Sequence, residues 1–471
     1  MQDRDDTAQT TRRDFLLTTT AGAALSALPG SLARAQTAPN SAPTSGPAKP
    51  PENDRVFICN EDSNTLSAIN PLTNAIEPSI NLTSFDEDHR PPFRLVTNGV
   101  VATHAGMIQK PLYHGAISIH GAVPSPDSTM IATTGRGSSN VYLIDTRTRE
   151  VIGNTPNPNK RDDVVPTRLT NGILVGREPH EPTFTRNGRE LWVTLRGSDQ
   201  IAVLDVAKAI AESKGAGPGT AVRRIIPTMP GPAHVWFSKD GNTAFLTSQK
   251  VPMIEVYAVK YDANGFSTAE RKRQIDISAQ DKFGFSPFLK ATPDGKEVWI
   301  SHKLADRVAA IEPDGDNRYA DIVDLGQLAR PNHVEFLENR NGRVIYVSQA
   351  RVDDAGPGGV ASSSIAIIDR AAPKGQRKVV ATFASGGREA HGLWIDPTNS
   401  RLYVAHEQDE LPNTPHAGQT VCSAFDVADP FKPQLIARIP LGEHKLPSGA
   451  LRNKKSINLV YVRPGSKSAS A

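Results

Sequence analysis

The sequence predicts an all-β protein in which one strand-rich unit recurs around a central axis. Six hairpin turns recur along the chain, and four of them contain the Asn-Gly or Asp-Gly pairs that supply positive φ angles: Asn187-Gly188, Asp240-Gly241, Asp294-Gly295 and Asn341-Gly342. Two strands rich in β-branched and aromatic residues follow each turn. Only Val206 to Lys214 has a helical pattern. Recurring antiparallel hairpins without crossover helices favour blades arranged in a ring.

The spacing of the units predicts seven blades. Six units are complete, and their first strands carry, at intervals of 60, 54, 54, 45 and 58 residues, His120, His180, His234, Phe288, His333 and His391. A seventh unit is split, with residues 57–70 at one end of the chain and 457–462 at the other. We therefore expect a seven-bladed β-propeller over residues 54–465, latched by its two ends, with a disordered tail at 466–471.

Composition limits the function of this 471-residue chain. Lys plus Arg number 53 and Asp plus Glu number 50, and this net charge of +3 without a long basic run argues against a nucleic-acid partner. No C-x-x-C-H motif is present for covalent haem of the c type.

The two cysteines, Cys59 and Cys422, lie in the blades that meet at the latch. They either form one disulfide or, as we favour, are two small buried residues.

The N-terminal segment resembles a twin-arginine export signal over residues 1–35. Arg12-Arg13 precede a short apolar run from Leu17 to Leu28, and Ala33-Arg34-Ala35 resembles a cleavage site. The alternative is a disordered tail that contains two arginines by chance. Residues 36–53, rich in Pro, Ser, Thr and Ala, are predicted to be a disordered linker. We expect a periplasmic or secreted protein with no integral membrane segment after cleavage.

The repeat is similar to that of the YVTN β-propeller family. The segments Phe57 to Asn74 and Trp192 to Asp205 carry the similarity most clearly, and it extends over about residues 55–463. Relatives of this architecture include lactone hydrolases, the haem-binding propeller of nitrite reductases, the copper-cluster propeller of nitrous oxide reductase and surface-layer proteins. The resemblance therefore implies the fold and selects no single function.

Strand direction predicts where a site would lie. In a four-stranded blade the start of the first strand and the turn between the second and third strands share one rim. The candidate ligand- or metal-binding residues on it are His120, His180, His234, His333, His391, His302 and His406. The candidate anion-binding residues are Arg136, Arg177, Arg196, Arg330 and Arg388. Long insertions at 83–115, 156–176, 351–362 and 407–419 reach the same rim, and the first holds the lid candidates His104, Tyr113 and His114.

These residues leave several functions open. Imidazole is a ligand of copper, zinc and iron, and arginines with one histidine could hold a haem, although the cysteine-bearing domain of a complete copper cluster is missing. The alternative for any single histidine is packing between blades with a bond to a backbone carbonyl. We predict an exported propeller whose rim binds a small anionic ligand, a metal or a periplasmic protein partner. A metal- or haem-dependent oxidoreductase, a lactonase-type hydrolase and a non-catalytic surface or assembly scaffold are the alternatives. The sequence identifies neither the cofactor nor any catalytic residue.

Overall fold

Seven antiparallel sheets of four or five strands form the blades, and two separate strand pairs accompany them, as the computed structural model shows for residues 49–82, 118–156, 168–169, 172–313, 319–445, 451–452 and 454–464. The innermost strands of successive sheets contact one another in a closed ring. The prediction of an all-β, seven-bladed propeller is confirmed. Among the described residues, no helix has the length and apolar character to cross a membrane.

The first three blades contain short strands of two to six residues. Blade one contains β1 (Arg55–Asn60), β2 (Thr65–Asn70), β3 (Ala75–Ile76) and β4 (Ile80–Asn81). Blade two contains β5 (Ile119–Pro124), β6 (Met130–Gly135), β7 (Asn140–Asp145), β8 (Glu150–Val151) and β11 (Ile173–Leu174), while β9 (Thr155–Pro156) and β10 (Arg168–Leu169) form a separate pair. Blade three contains β12 (Pro179–Phe184), β13 (Glu190–Leu195), β14 (Gln200–Asp205) and β15 (Val222–Pro227).

Blades four to seven each contain four strands. Blade four contains β16 (Pro232–Phe237), β17 (Thr243–Ser248), β18 (Met253–Tyr261) and β19 (Ser267–Asp276), and blade five contains β20 (Phe288–Ala291), β21 (Val298–His302), β22 (Arg307–Ile311) and β23 (Tyr319–Asp324). Blade six contains β24 (Pro331–Asn339), β25 (Gly342–Asp353), β26 (Ser362–Asp369) and β27 (Val379–Ala384). Blade seven contains β28 (Arg388–Ile395), β29 (Arg401–Gln408), β30 (Val421–Asp426) and β31 (Gln434–Pro440). A separate pair, β32 (His444–Lys445) and β33 (Leu451–Arg452), precedes the last strand, β34 (Ser456–Val462).

Local sequence signals explain the turns and the one α-helix among the described residues. Gly188 has a φ of 69°, the left-handed conformation that the Asn-Gly pair predicts for the turn between β12 and β13. Helix α1 (Val206–Ser213) begins after Asp205, whose side chain accepts hydrogen bonds from the backbone N–H groups of Ala207 and Lys208. The helical pattern predicted at 206–214 is therefore present. Two 3₁₀ turns occur at Lys303–Ala305 and Pro357–Gly359.

The hydrophobic core lies between adjacent blades. One cluster, for example, joins Val123 and Val141 of blade two to Leu191 and Val193 of blade three. The second strands of five blades place a large aromatic side chain at one recurring position, where it is fully buried: Trp192, Phe245, Trp299, Tyr346 and Tyr403. Because each blade buries both faces against its neighbours, the strands are apolar on both sides.

The latch joins the two ends of the chain in blade one. Strand β34 is the innermost strand and pairs antiparallel with β1, with Ile58 opposite Leu459. Asp54 accepts hydrogen bonds from the Tyr461 hydroxyl at 2.6 Å and from Arg463 Nη2 at 2.9 Å. The C-terminus thus supplies the first strand of the split unit and the N-terminal segment supplies the others, a division that the similar patterns of β1 and β34 left open.

Cys59 and Cys422 are both free and fully buried in the core near the latch. Burial raises the pKa of each thiol to about 12. We therefore expect neither thiol to react with an aromatic disulfide reagent at pH 8 in the folded chain, and both to react after unfolding in guanidinium. A rapid reaction of either thiol in the native protein would contradict this burial.

Candidate functional site

A β-bulge at the start of the first strand turns two successive side chains toward the axis. In blade three, Pro179 pairs with Leu195 and Pro182 pairs with Val193, so the strand holds one extra residue between these pairs. His180 and Glu181 occupy that bulge. The Glu181 N–H donates to Thr194 Oγ1 at 3.0 Å, and that hydroxyl also lies 2.8 Å from the carbonyl oxygen of Ala233 in the next blade. The Thr194 hydroxyl thus accepts a hydrogen bond from a backbone N–H group of the bulge and donates one to the neighbouring blade.

The same shift recurs in six of the seven blades, and it changes the alignment of the histidines. His120, His180 and His391 directly follow the last paired residue before the bulge, whereas His234 and His333 follow it by two. Blade five, which carries Phe288, pairs without the shift. The first-strand histidines therefore occupy two adjacent positions, where the sequence alignment had given them a single equivalent one.

These bulges surround a cavity of about 280 Å³ at one mouth of the channel. Four of the first-strand histidines line it: His120, His180, His333 and His391. The other polar lining residues come from several blades and are Glu61, Arg136, Glu181, Arg196, Gln249, Lys303, Asn332, Glu407 and Lys455. The rim that strand direction predicts therefore does collect imidazoles together with Arg136, Arg196, Lys303 and Glu407.

The aromatic rings follow one another around the axis. The ring centroids of His120 and His180 are 4.2 Å apart, and those of His333 and His391 are 5.0 Å apart. Phe288 stacks on His333 with centroids 3.9 Å apart and also contacts His234 at 4.7 Å. Six blades thus contribute a nearly continuous ring of flat side chains.

The imidazoles of the cavity are neutral. Burial, followed by the charges of Arg136 and Arg196, holds the pKa of His180 well below its usual range. Burial and the neighbouring His180 and Arg136 do the same to the pKa of His120. Burial and then Lys303 lower the pKa of His391 to about 3. Each ring therefore keeps one nitrogen lone pair at neutral pH.

His120, His180 and Glu181 form a cluster in the cavity wall. One ligand atom from each lies within 4.8 Å of the others, and His120 Nδ1 is 3.3 Å from Glu181 Oε1. His180 Nδ1 donates to the carbonyl oxygen of Ala233 at 2.9 Å, which leaves Nε2 with the lone pair. Burial raises the pKa of Glu181 to about 8, against the lowering effect of Arg136.

Ion pairs hold the cationic side chains in place. Arg136 donates to Glu61 Oε1 at 3.1 Å and to Glu178 Oε1 at 3.0 Å, and Arg196 Nε also donates to Glu178 Oε1 at 2.9 Å. Lys455 Nζ lies 2.5 Å from Glu61 Oε2. Lys303 differs from these, because within the described residues its ammonium group forms no ion pair. It is therefore the cation best placed to meet a ligand's negative charge.

A carboxylate also faces one of the imidazoles. Glu407 Oε1 lies 3.3 Å from His391 Nε2, while His391 Nδ1 is buried and makes no hydrogen bond with any described residue. Glu407 is next to His406 in β29, yet the two side chains point in opposite directions. His406 Nδ1 lies 2.9 Å from the Val421 carbonyl oxygen and its Nε2 lies 3.1 Å from Ser385 Oγ. The carboxylate therefore pairs with the histidine of another strand.

The other candidate histidines lie outside the cavity lining. His234 is buried between Phe288 and Trp236. His302 is fully buried, with Nδ1 2.9 Å from Ser286 Oγ and 3.6 Å from Asp281 Oδ2. Neighbouring residues thus engage Nδ1 of both His302 and His406, and neither side chain lines the cavity.

Three of the five candidate arginines are also outside the lining. Arg330 is exposed, and its backbone N–H donates to Asp306 Oδ1 at 2.9 Å. Arg388 Nη1 lies 2.5 Å from the Asp409 carbonyl oxygen, and the Arg177 backbone carbonyl accepts from the Gly197 N–H. The periodic Arg three residues before His thus does not bring the guanidinium to the axis. The lid candidates His104, Tyr113 and His114 lie outside the described residues.

The sequence patterns missed several lining residues. Glu181 was missed because neighbours on a regular strand face opposite ways, and only the bulge brings it to the same side as His180. Glu61 and Lys455 come from opposite ends of the chain and meet through the latch. A Thr at the end of a second strand, such as Thr194, is the signal that could have indicated a bulge opposite it.

Comparison with known proteins supports the architecture. Residues 157–324 match the family model described as Lactonase, 7-bladed beta-propeller. The chain is similar to lactonase-type seven-bladed propellers. The match covers about a third of the sequence, and no curated protein matched the chain.

Solved structures share the fold at low sequence identity. A functionally unknown protein from Desulfotomaculum acetoxidans has a TM-score of 0.56 at 10% identity, over 87% of this chain and 99% of its own. The periplasmic gluconolactonase of Pseudomonas aeruginosa has a TM-score of 0.53 at 11% identity, over 87% and 99%. Hydrazine synthase of Kuenenia stuttgartiensis has a TM-score of 0.50 at 17% identity, over 73% and 94%. At these identities the likeness concerns the fold alone.

Proposed function

We propose that the chain is an exported lactonase-type hydrolase that opens small lactones bearing an acidic group, and that it acts in the axial cavity. The observation that carries this proposal is the convergence of four cationic side chains and four neutral imidazoles on one cavity of about 280 Å³. This volume is near the lower end of the range for small-molecule sites, so it suits a sugar-sized ligand. A phosphate or carboxylate on that ligand would meet Lys303.

The cavity also offers a group to orient the attacking water. Glu407 lines the cavity, and its Oε1 lies 3.3 Å from His391 Nε2, which holds the carboxylate where it can accept a hydrogen bond from the attacking water. The water adds to the lactone carbonyl, the ring C–O bond breaks, and the product is a hydroxy acid. Its new carboxylate adds a second negative charge beside the cations of the cavity.

The resemblances support the same reaction class. The lactonase family model covers residues 157–324, which include His180, Glu181, Arg196 and Lys303. A periplasmic gluconolactonase shares the propeller, and residues 1–35 of this chain resemble an export signal. We therefore place the proposed activity in the periplasm.

Lys303→Met will lower kcat/KM for an acidic lactone by about 10-fold or more, mainly through KM, because a charged hydrogen bond of 1.5–3 kcal/mol is lost. The assay is hydrolysis of aldonolactones with and without a phosphate group, followed by acid release. The matched control is Lys208→Met on the exposed face of α1, a lysine that does not line the cavity, which should hydrolyse at the wild-type rate. If the purified chain hydrolyses none of these lactones faster than buffer does, the proposed function is wrong.

A further inference from the structure

We propose that His120, His180 and Glu181 bind one divalent transition-metal ion of the Zn²⁺ class in the wall of the axial cavity. Two imidazole nitrogens and one carboxylate form the three-ligand set that leaves a coordination position open to water or substrate. All three residues line the cavity, so that position would face it. This inference goes beyond lactone hydrolysis and does not depend on it.

The three donors already face one another. Their ligand atoms lie within 4.8 Å, and His120 Nδ1 is 3.3 Å from Glu181 Oε1. Metal–ligand bonds of about 2.0–2.2 Å place tetrahedral ligand atoms about 3.3 Å apart. Side-chain rotations that move the ligand atoms by about 1 Å would therefore complete the site. The blades themselves need not move.

One buried ring nitrogen in the cluster lacks a hydrogen bond. His120 is only 6% exposed, and the contact of its Nδ1 with Glu181 Oε1 at 3.3 Å does not have the geometry of a hydrogen bond. A buried polar atom without a hydrogen bond is costly, and a metal ion between these two atoms would satisfy both. A mixed nitrogen and oxygen donor set favours Zn²⁺ over Mg²⁺ or Ca²⁺, which prefer oxygen alone.

Neighbouring groups orient two of the ligands. The Ala233 carbonyl fixes His180 Nδ1 as a donor and so presents Nε2, and Asn458 Nδ2 lies 3.3 Å from Glu181 Oε2. Gln249 Nε2 is 3.3 Å from His180 Nε2, and a bound ion would replace that contact while Arg196 Nη1 retains the Gln249 amide oxygen at 2.8 Å. Such outer partners are typical of metal-binding histidines and carboxylates.

The absence of a side chain at Gly121 leaves space for the Glu181 carboxylate. A Cβ at Gly121 would lie 2.5 Å from Glu181 Oε2 and 2.5 Å from the His180 carbonyl oxygen. Glycine at this bulge position therefore lets Glu181 lie beside His120. The nearby charge of Arg136 is compensated by Glu61 and Glu178, which reduces its repulsion of a cation.

The test uses the purified full chain stripped with a chelator and titrated with Zn²⁺ against a chromophoric competitor. We expect one Zn²⁺ per chain, no competition by Mg²⁺, and a raised Tm in the presence of Zn²⁺. Glu181→Gln and His120→Asn should each weaken binding by at least about 100-fold, since even outer-shell changes cost 10–100-fold. Co²⁺ should give visible absorption bands in the wild type and lose them in both variants.

The matched control is His333→Phe, which removes a cavity imidazole outside the cluster and should bind Zn²⁺ as the wild type does. The proposal is overturned if the stripped wild type binds no Zn²⁺, or if Glu181→Gln and His120→Asn, shown to be folded by circular dichroism, retain its affinity. Since Zn²⁺ binding is measured without substrate, a chain that binds Zn²⁺ but opens no lactone would refute the proposed hydrolysis and leave the metal site standing.

Discussion

Truncation of the chain after Lys455 will abolish cooperative folding of the propeller. This deletion removes β34 (Ser456–Val462), the innermost strand of blade one, and with it the backbone pairing to β1. Five apolar side chains of β34 are almost fully buried: Ile457, Leu459, Val460, Tyr461 and Val462. At about 1.5–3 kcal/mol each, their burial contributes about 7–15 kcal/mol, which equals the whole stability of a typical domain.

The truncated chain would also expose both sides of a gap in the ring. Strand β1 would become an unpaired inner edge, and the neighbouring first strands β5 and β28 would lose their contacts with β34. Exposed edges of this kind pair with other chains, so we expect soluble aggregates on size-exclusion chromatography as well as a lost thermal transition.

The control for this truncation is a chain that ends at Pro464. It keeps every described contact of β34, including the bonds from Tyr461 and Arg463 to Asp54, and should melt as the full chain does. A second check is a peptide of residues 454–464 added in trans, which should restore part of the folded population. A monomeric, cooperatively melting truncation product would show that the latch is dispensable.

The fold could be predicted from the sequence because its signals are local. Each Asn-Gly or Asp-Gly turn fixes a hairpin, and the strands on either side are apolar on both faces because adjacent blades cover them. The division of the latch could not be predicted, since Val56 to Cys59 and Leu459 to Val462 have the same pattern and either could serve as the inner strand. Only the pairing of β34 with β1 distinguishes them.

The site was predictable only in part, for a related reason. The rim followed from the direction of the strands, which brings the turn residue Arg196 to His180. The relative positions of the histidines depend on bulges, and a bulge is a property of two paired strands rather than of one segment. Glu181, which one extra residue in β12 turns inward, could not be read from alternation along that strand.

Replacement of Glu61 by Gln will have the second large effect, a loss of about 3 kcal/mol in the free energy of unfolding at pH 7. Glu61 is buried and accepts hydrogen bonds from Arg136, Lys455 and Ser118. Removal of one partner from a buried ion pair costs about 3–5 kcal/mol. We expect the lower end of that range, because Arg136 keeps Glu178 and Lys455 lies 3.9 Å from Glu407.

The pH dependence of this loss follows from the direction of the pKa shift of Glu61. Burial alone would raise that pKa, but Lys455 and Arg136 hold it well below its usual value of 4.5. The carboxylate therefore stabilises the folded state fully above pH 4.5, and this contribution declines as the pH falls toward the lowered pKa. The Tm difference between wild type and Glu61→Gln should be full at pH 7 and smaller near pH 3.

The control is Glu270→Gln, which changes an exposed carboxyl group paired with Lys272 and should melt as the wild type does. A Glu61→Gln chain that melts with the wild type at pH 7, or a difference that widens in acid, would show that the ion pairs of Glu61 do not stabilise the axial cavity.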